Sequence, residues 1–202
     1  MRKLSKITAM MIAIIMILSL AACGGSNSAA QEAIEILRSG KFSFDMDAEG
    51  MKGVMAIDGG NFAMTAGGDD FVGEDVEVRL VYKDGVTYMI VDEWEALSEV
   101  PQMNTIMKEA LEMFDFSTMD TKRADSGKAE IDGKTMSYEV FADEKNEAIK
   151  VFLEDGKVYA IVDYEDYDDF KMTNLSKTIP SGIFDIPTNY RDLAEVIEEM
   201  QS

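Results

Sequence analysis

The segment Val81-Tyr82-Lys83-Asp84-Gly85-Val86-Thr87-Tyr88 sets an Asp-Gly pair between two runs of residues that alternate in polarity. An Asp-Gly pair is favoured in a two-residue hairpin turn, because both positions need a positive φ. The same pair recurs at Asp58-Gly59, Asp132-Gly133 and Asp155-Gly156, again between alternating residues. The four pairs predict four β-hairpins, and therefore a sheet made mainly of sequential antiparallel strands.

A helix is predicted between the second and third pairs, which lie 48 residues apart, about twice the other spacings. Two strands with their turns occupy about 24 residues, so one hairpin has been replaced by another element. Residues 102–114 carry apolar side chains at the three- and four-residue spacing of one helix face. Pro101 is a start signal near the N-terminus of this helix.

Two further helices are predicted at the ends of the domain. Ser28 and Gln31 form a capping box for the first helix, which Gly40 ends. Asn189 and Asp192 open the last helix. The order is therefore helix, about five strands, helix, about five strands, helix, which indicates an α+β domain around an antiparallel meander.

Most predicted strands, such as residues 76–82, alternate apolar and polar side chains and so have one solvated face. Two strands differ, because they are apolar on both faces. They span residues 86–91 and 158–162. A strand that is apolar on both sides needs cover on both sides. We therefore expect these two strands at the centre of the sheet.

The N-terminus has the pattern of a bacterial export signal. Arg2, Lys3 and Lys6 precede an apolar run at 8–22 that is shorter than the roughly 20 residues of a bilayer span. Leu20-Ala21-Ala22-Cys23 resembles the lipobox of bacterial lipoproteins. This resemblance implies that Cys23 receives a diacylglyceryl thioether and becomes the new N-terminus, anchored at the extracytoplasmic face of the cell membrane. The alternative is an ordinary secretory signal with an incidental cysteine, or an uncleaved anchor.

These boundaries divide the chain into a signal peptide (1–22), a flexible tether (23–30) and a single domain (31–202). The formal net charge is −20, and cleavage would remove three cations and lower it to −23. Such acidity argues against nucleic-acid binding, which needs clustered Lys and Arg. The chain has no histidine and one cysteine, which excludes His-dependent catalytic dyads and thiolate metal cages. We therefore expect a protein that is not an enzyme and holds no cofactor and no metal.

Three short sequence segments resemble the bacterial lipoprotein-carrier superfamily. They are Gly40-Lys41-Phe42-Ser43-Phe44, the 81–88 segment, and Phe184-Asp185-Ile186-Pro187-Thr188-Asn189-Tyr190. The resemblance implies a curved antiparallel sheet, a half-barrel meander of about ten strands, cupped around helices with a hydrophobic cavity for acyl chains. The acylated Cys23 matches membrane-tethered members of that group rather than the soluble carriers.

A hydrophobic groove is the first candidate site. Twelve methionines remain after cleavage, and methionine suits surfaces that accept variable apolar shapes. We expect the groove between the mid-chain helix and the strands, lined by Phe42, Phe44, Met103, Ile106, Met107, Ala110, Leu111 and Phe114. The alternative is that this apolar stripe simply fills the core under the helix.

Two acidic segments, at 69–75 and 163–169, offer a calcium site as a second hypothesis, although solvated loops explain them better. The sequence thus predicts a membrane-anchored exported lipoprotein that binds a hydrophobic or lipid-like ligand, acyl chains included, without catalysis. The alternative is an extracytoplasmic protein-interaction module with an envelope protein as partner and no small ligand.

Overall fold

The computed structural model of the chain describes residues 28–48, 51–67, 76–143, 148–164 and 170–201. In these residues one sheet of twelve strands forms most of the secondary structure, and three α-helices accompany it. The helices are α1 (Ala29–Arg38), α2 (Asn104–Met113) and α3 (Leu193–Met200), with 3₁₀ turns at Asp92–Trp94 and Pro101–Met103. The strands are β1 (Lys41–Ala48), β2 (Met51–Asp58), β3 (Asn61–Gly67), β4 (Glu77–Lys83), β5 (Val86–Val91), β6 (Ala96–Glu99), β7 (Asp125–Ile131), β8 (Lys134–Ala142), β9 (Ala148–Glu154), β10 (Lys157–Asp163), β11 (Lys171–Ser176) and β12 (Arg191–Asp192).

The sheet combines two antiparallel meanders, β1 to β6 and β7 to β11, with α2 between them in the chain. Pairing of β1 with β11, with Met46 opposite Met172, joins the meanders side by side. The described strands follow the order β12-β6-β5-β4-β3-β2-β1-β11-β10-β9-β8-β7, so the sheet is open, and β12 lies parallel to β6. A large curved antiparallel sheet with few helices is thus confirmed, with twelve described strands instead of about ten.

Three of the four predicted Asp-Gly turns form as expected. Asp84 and Gly85 have φ of 52° and 85°, and the pairs at 132–133 and 155–156 are also left-handed at both positions. The fourth turn moves by one residue: Asp58 pairs with Asn61, and Gly59 and Gly60 form the loop. A second glycine at position 60 makes this shift possible, and Asp58 remains in the ladder, 2.6 Å from Lys41 Nζ.

Both predicted terminal helices are present with their caps. The Ser28 hydroxyl accepts from Gln31 N, and the Gln31 side chain accepts from Ser28 N, as in a capping box. The helix ends at Arg38, and Gly40 follows at φ 63°. In α3 the cap is Asp192, whose carboxylate accepts from Ala194 N, so Asn189 lies before the helix.

One face of the sheet, here called the inner face, carries all three described helices. It is the face on which Phe42 and Phe44 of β1 pack against the buried stripe of α1. Because side chains alternate along a strand, Val78 and Val91 project from this same face at the β4–β6 end, where α3 covers them. Burial of these apolar side chains is the main stabilising term that places the helices.

The expectation that β5 and β10 lie at the centre of the sheet is wrong. The centre is occupied by β2, β1 and β11, whereas β5 is the third strand from one end of the described sheet and β10 is the fourth from the other. Both strands are apolar on each side because each is covered twice. On the face that carries no described helix, β5 packs against Ile183 and its neighbours, and β10 packs in a cluster with Phe152.

The opposite face is here called the outer face. Residues 177–190 cover it over β2 to β6, and Arg79 holds this segment in place. The Arg79 guanidinium donates to both carboxylate oxygens of Asp92 at 3.1 Å. It also donates to the backbone carbonyls of Gly182, Ile183 and Asp185 at 2.7–3.2 Å. Arg79 is only 8% exposed. The sequence pattern places it on a solvated face, and that expectation is wrong.

Asp92 is the anionic half of this clamp. Its burial opposes ionisation, but hydrogen bonds from Arg79 and Tyr190 and the charge of Arg79 outweigh that effect, and they hold the pKa of Asp92 below its ordinary value. The Tyr190 hydroxyl donates to Asp92 Oδ1 at 3.0 Å. The carboxylate therefore stays ionised, and the pair stays formed, at all pH values above about 4.

Replacing Arg79 by Met should lower the free energy of unfolding by roughly 3 kcal/mol, because three carbonyls and a carboxylate lose their donor. Arg38→Met, at an exposed position, should change it by less than about 0.5 kcal/mol. Urea unfolding at several pH values measures both. The difference for Arg79→Met should be constant above about pH 4 and shrink below it, as Asp92 becomes protonated in the folded state. An equal effect of the two substitutions would contradict the clamp.

A second polar anchor ties the β7–β8 turn to β10 and β11, across β9. Asp132, at the turn, accepts from Lys171 Nζ at 2.7 Å and from the Tyr159 hydroxyl at 2.6 Å. The hydrogen bonds from Lys171 and Tyr159 lower the pKa of Asp132. In return, the hydrogen bond to Asp132 raises the pKa of Tyr159 from 10.0 to about 12.

Tyr159 should therefore ionise about two pH units later than an ordinary tyrosine. Ultraviolet titration at 295 nm, compared with Tyr159→Phe, should isolate a phenol that titrates near pH 12. Asp132→Asn should return that pKa toward its ordinary value. Titration of Tyr159 near pH 10 in the unsubstituted chain would show that this hydrogen bond does not form.

Candidate functional site

The mid-chain helix is seated on the inner face by its N-terminal end. The 3₁₀ turn Pro101–Met103 leads into α2, so the helix starts at Asn104, two residues later than the predicted 102–114. The Asn104 side chain accepts from the backbone N–H of Thr87 at 2.8 Å, and Val100 N donates to the carbonyl of Thr87. These bonds fix the beginning of α2 against β5.

Phenylalanine side chains fill the space in which a groove was expected. Phe114, directly after α2, lies with its ring centroid 5.6 Å from Phe44, 6.2 Å from Phe62 and 5.9 Å from Phe170. Phe116 lies 6.3 Å from Phe42. Aromatic pairs at these separations are attractive beyond simple burial. The structure therefore has a packed aromatic cluster here, covered by α2 and by residues 114–118, which we call the strap.

The structure brings most of the predicted groove residues together. Phe42, Phe44 and Met107 are buried in the inner-face cluster. Met103, Leu111 and Phe114 are partly buried against the same cluster, and Ala110 is half-buried beside them.

Ile106 does not belong with them, because its side chain is 59% exposed. The helix buries the stripe at positions 103, 107, 111 and 114, and Ile106 lies on the adjacent stripe with Met113, which is 79% exposed. Both stripes have helical spacing and apolar members, so the sequence pattern could not separate them.

Sequence reasoning missed three members of the cluster, Phe62, Phe116 and Phe170. Phe62 had a usable signal, because it is an apolar residue in the alternating segment that follows the Asp58-Gly59 turn. Phe116 lies outside any regular element and Phe170 just before β11, so neither had a periodic signal. They meet the cluster only through tertiary packing.

Two clefts open on either side of the strap, and both share Glu112, Asp115 and Phe116 as lining residues. Cleft A has a volume of about 550 Å³ and cleft B about 430 Å³, and organic ligands typically occupy 300–1,000 Å³. The other described lining of cleft A is Glu109, Met113, Thr118, Met119, Asp143, Ala148, Ile149 and Asp163. The other described lining of cleft B is Leu37, Arg38, Ser39, Gly40, Ile57, Gly59, Leu111, Phe114 and Ser117.

Cys23 lies outside the described residues, as do the acids at 69–75 and 165–169. In the part of the chain that the structure describes, no three acidic side chains gather where they could hold a metal ion. Within the same residues, no helix is long and apolar enough to cross a membrane.

Comparison with known proteins leaves the geometry as the main guide to function. No model of a known protein family matches the sequence, and no curated protein matches it. Among solved structures, the fold is similar to an uncharacterized conserved protein from Thermus thermophilus, with a TM-score of 0.35 and 9% sequence identity. The similarity covers 81% of this chain and 98% of that one.

Proposed function

We propose that the protein is an exported, acyl-anchored lipoprotein whose domain binds a hydrophobic or lipid-like ligand without catalysis. The fold proposed for it is the half-barrel of the lipoprotein-carrier superfamily, with its helices on the inner face. The observation that carries the proposal is the thin cover over the aromatic cluster. A helix of ten residues with one buried side chain, Met107, and the short strap lie between this cluster and two clefts.

The ligand site forms when the strap moves away from the sheet. Phe114 and Phe116 then leave the cluster, and clefts A and B merge over Phe42, Phe44 and Phe62. An acyl chain that replaces the two rings regains the lost burial, at about 0.8 kcal/mol for each methylene removed from water. Ligand and strap thus compete for the same apolar surface.

The bonds of the strap support this movement. The N–H of Phe116 donates to the carbonyl of Phe114, and the N–H of Met119 donates to the carbonyl of Phe116. The N–H of Ser117 donates to the Asp115 carboxylate. These bonds are local to the strap, and among the described contacts Thr118 adds one long hydrogen bond, at 3.5 Å, to the Asp143 carboxylate directly after β8. The attachment of the strap to the sheet then depends largely on the two phenylalanine rings, and segments held by few apolar contacts open at low free-energy cost.

The rival function, an extracytoplasmic protein-interaction module, is supported by two surfaces. β7 is an edge strand of the described sheet, and edge strands can pair with an added strand. Ile106 and Met113 project into solvent from α2. Neither surface requires the strap to move, so strap variants separate the two functions.

Phe116→Ala should increase the affinity for a neutral hydrophobic dye about tenfold, because the ligand no longer has to displace one ring. The free energy of unfolding should fall by about 1–2 kcal/mol, since Phe116 is half-buried. Dye fluorescence with the mature chain, residues 23–202, measures the affinity. Phe184→Ala, at a half-buried site on the outer face, is the matched control and should leave dye affinity unchanged.

The proposal fails if neither the unsubstituted chain nor Phe116→Ala binds the dye, and organic extraction of the purified protein releases no lipid. A tenfold gain in both phenylalanine variants would also contradict it, because general loosening of the fold would then explain the effect.

The anchor is tested separately at Cys23. The unsubstituted protein should remain with bacterial membranes after a high-salt wash and should take up a fatty-acid label, since two or more acyl chains anchor stably. Cys23→Ala should abolish the label, because the thiol that carries the thioether is gone, whereas Ser26→Ala should behave as the unsubstituted protein. Persistent labelling of Cys23→Ala would refute acylation at this residue.

A further inference from the structure

We propose that the ligand lies along one row of inner-face side chains and that the hydroxyl of Thr87, at the end of this row, bonds to a neutral oxygen group of the ligand, such as an alcohol or an ester. This inference rests on the proposed hydrophobic-ligand function and names the class of ligand for that site. The observation that carries it is a buried hydroxyl without a partner among the described residues.

Thr87 supplies this hydroxyl. The residue is 0% exposed, and in the part of the chain that the structure describes its Oγ1 is the one buried side-chain nitrogen or oxygen without a hydrogen bond. Ser43 and Thr65 are also buried, but each of their hydroxyls bonds to a backbone group. Buried polar groups in folded proteins are nearly always paired, because an unpaired one is costly. A partner that comes from outside the chain removes this cost.

Thr87 is the last member of a row of directly opposite residues that crosses five strands. The row consists of Phe42, Ile57, Phe62, Tyr82 and Thr87, each paired with the next. Opposite residues of antiparallel strands project from the same face of a sheet. The first four side chains pack in the inner-face cluster, so the row is apolar from β1 to β4 and ends on β5 in a hydroxyl.

The length of the row suits one acyl chain. Neighbouring strands lie about 4.8 Å apart, so its four steps span about 19 Å. One leaflet of a bilayer has a hydrocarbon thickness of about 15 Å, half of the whole core. The strap covers the other end of the row, because Phe116 lies 6.3 Å from Phe42 and Phe114 lies 6.2 Å from Phe62. When the strap moves away, a chain can therefore lie along the row and reach Thr87.

The beginning of α2 packs near Thr87 through bonds that the ligand does not have to break. Asn104 accepts from the backbone N–H of Thr87, and the carbonyl of Thr87 accepts from Val100 N. Backbone groups of a strand point within the plane of the sheet, whereas side chains stand out of it. Met103 and Met107, at this end of α2, are flexible and can make room over the hydroxyl. The ligand oxygen thus approaches from the inner face while the start of α2 stays attached.

The surroundings of Thr87 favour a neutral oxygen group over a carboxylate. The buried cations among the described residues are Arg79 and Lys150, and both project from the outer face. An ionised carboxylate beside Thr87 would therefore be buried without a counter-ion, which is costly. A threonine hydroxyl can donate and accept, so it suits an alcohol and an ester equally well.

The test compares 1-decanol with 1-fluorodecane, whose fluorine is close to a hydroxyl in size but cannot donate and barely accepts a hydrogen bond. Each probe competes with a neutral hydrophobic dye on the mature chain with Cys23→Ser. The ratio of the two affinities is measured with and without Thr87→Val, because transfer of the probes from water is the same for both proteins. Thr87→Val should lower the relative affinity for decanol about fivefold, since it removes one hydrogen bond.

Two further variants serve as controls. Thr87→Ser keeps the hydroxyl and should keep the preference for decanol. Thr135→Val makes the same substitution at an exposed position on β8 and should leave the preference unchanged. The urea midpoint of Thr87→Val should not fall, because valine has the same shape and lacks the unpaired hydroxyl. A lower midpoint with an unchanged preference would show that the hydroxyl has a purely structural bond, and would overturn the inference.

The other outcomes are distinct. The γ-methyl resonance of Thr87 should shift when decanol binds, and a shift confined to other threonines overturns this position for the ligand. An equal preference in the unsubstituted chain and in Thr87→Val overturns the role of Thr87 but leaves hydrophobic binding intact. Binding of decanoate at pH 8 as tightly as decanol overturns the neutral class. Absence of binding by every probe removes the proposed function and this inference together.

Discussion

The 177–190 segment covers the outer face over β2 to β6, and the buried guanidinium of Arg79 is the main polar anchor of this cover. Arg79 bonds to three carbonyls of the 177–190 segment and to Asp92 in the corner between β5 and β6. Asp92 in turn accepts from Tyr190, directly before β12. One guanidinium thus holds the outer cover, the β5–β6 corner and the only described parallel strand of the sheet. Arginine suits this position because its five N–H groups form a rigid fork that can satisfy several acceptors at once.

The inner face has no comparable clamp among its described residues, and this asymmetry is the structural basis of the proposed function. Its cover is held mainly by apolar packing of α1, α2, α3 and the strap, with Phe114 and Phe116 inserted between the strap and β1, and with polar bonds at the starts of α1 and α2. Apolar packing is strong but not directional, so another apolar group of similar volume can replace it. A directional network such as that of Arg79 cannot be replaced by an acyl chain. In the proposed function, the segment over β2 to β6 therefore stays in place, and the cover of the inner face is the part that exchanges with a ligand.

Much of the sheet was predictable because its specification is local. Three of the four Asp-Gly turns, the alternation in β1 and the capping box of α1 each depend on residues close together in the chain, and each is present as predicted. The β1–β11 pairing was not predictable, since it joins residues about 130 apart and carries a register shift between Ser43 and Asp45. The burial of Arg79 was missed for the same reason. Alternation places it on the outer face but says nothing about a segment a hundred residues later that covers that face.

The candidate site shows the same difference between local signals, which were predictable, and tertiary contacts, which were not. The buried stripe of α2 has a periodic signal and was found, although Ile106 was assigned to the wrong side of it. The strap beyond Phe114 has no period, because Phe116 acts from an irregular segment whose position only the tertiary fold sets.

The composition adds a final restriction on how the strap can open. The chain has no histidine, and so no side chain with an ordinary pKa between about 5 and 8. The Asp92 clamp also stays ionised across that range, since its pKa is lowered. In the proposed function, opening is driven by differential binding, with the ligand favouring the open strap.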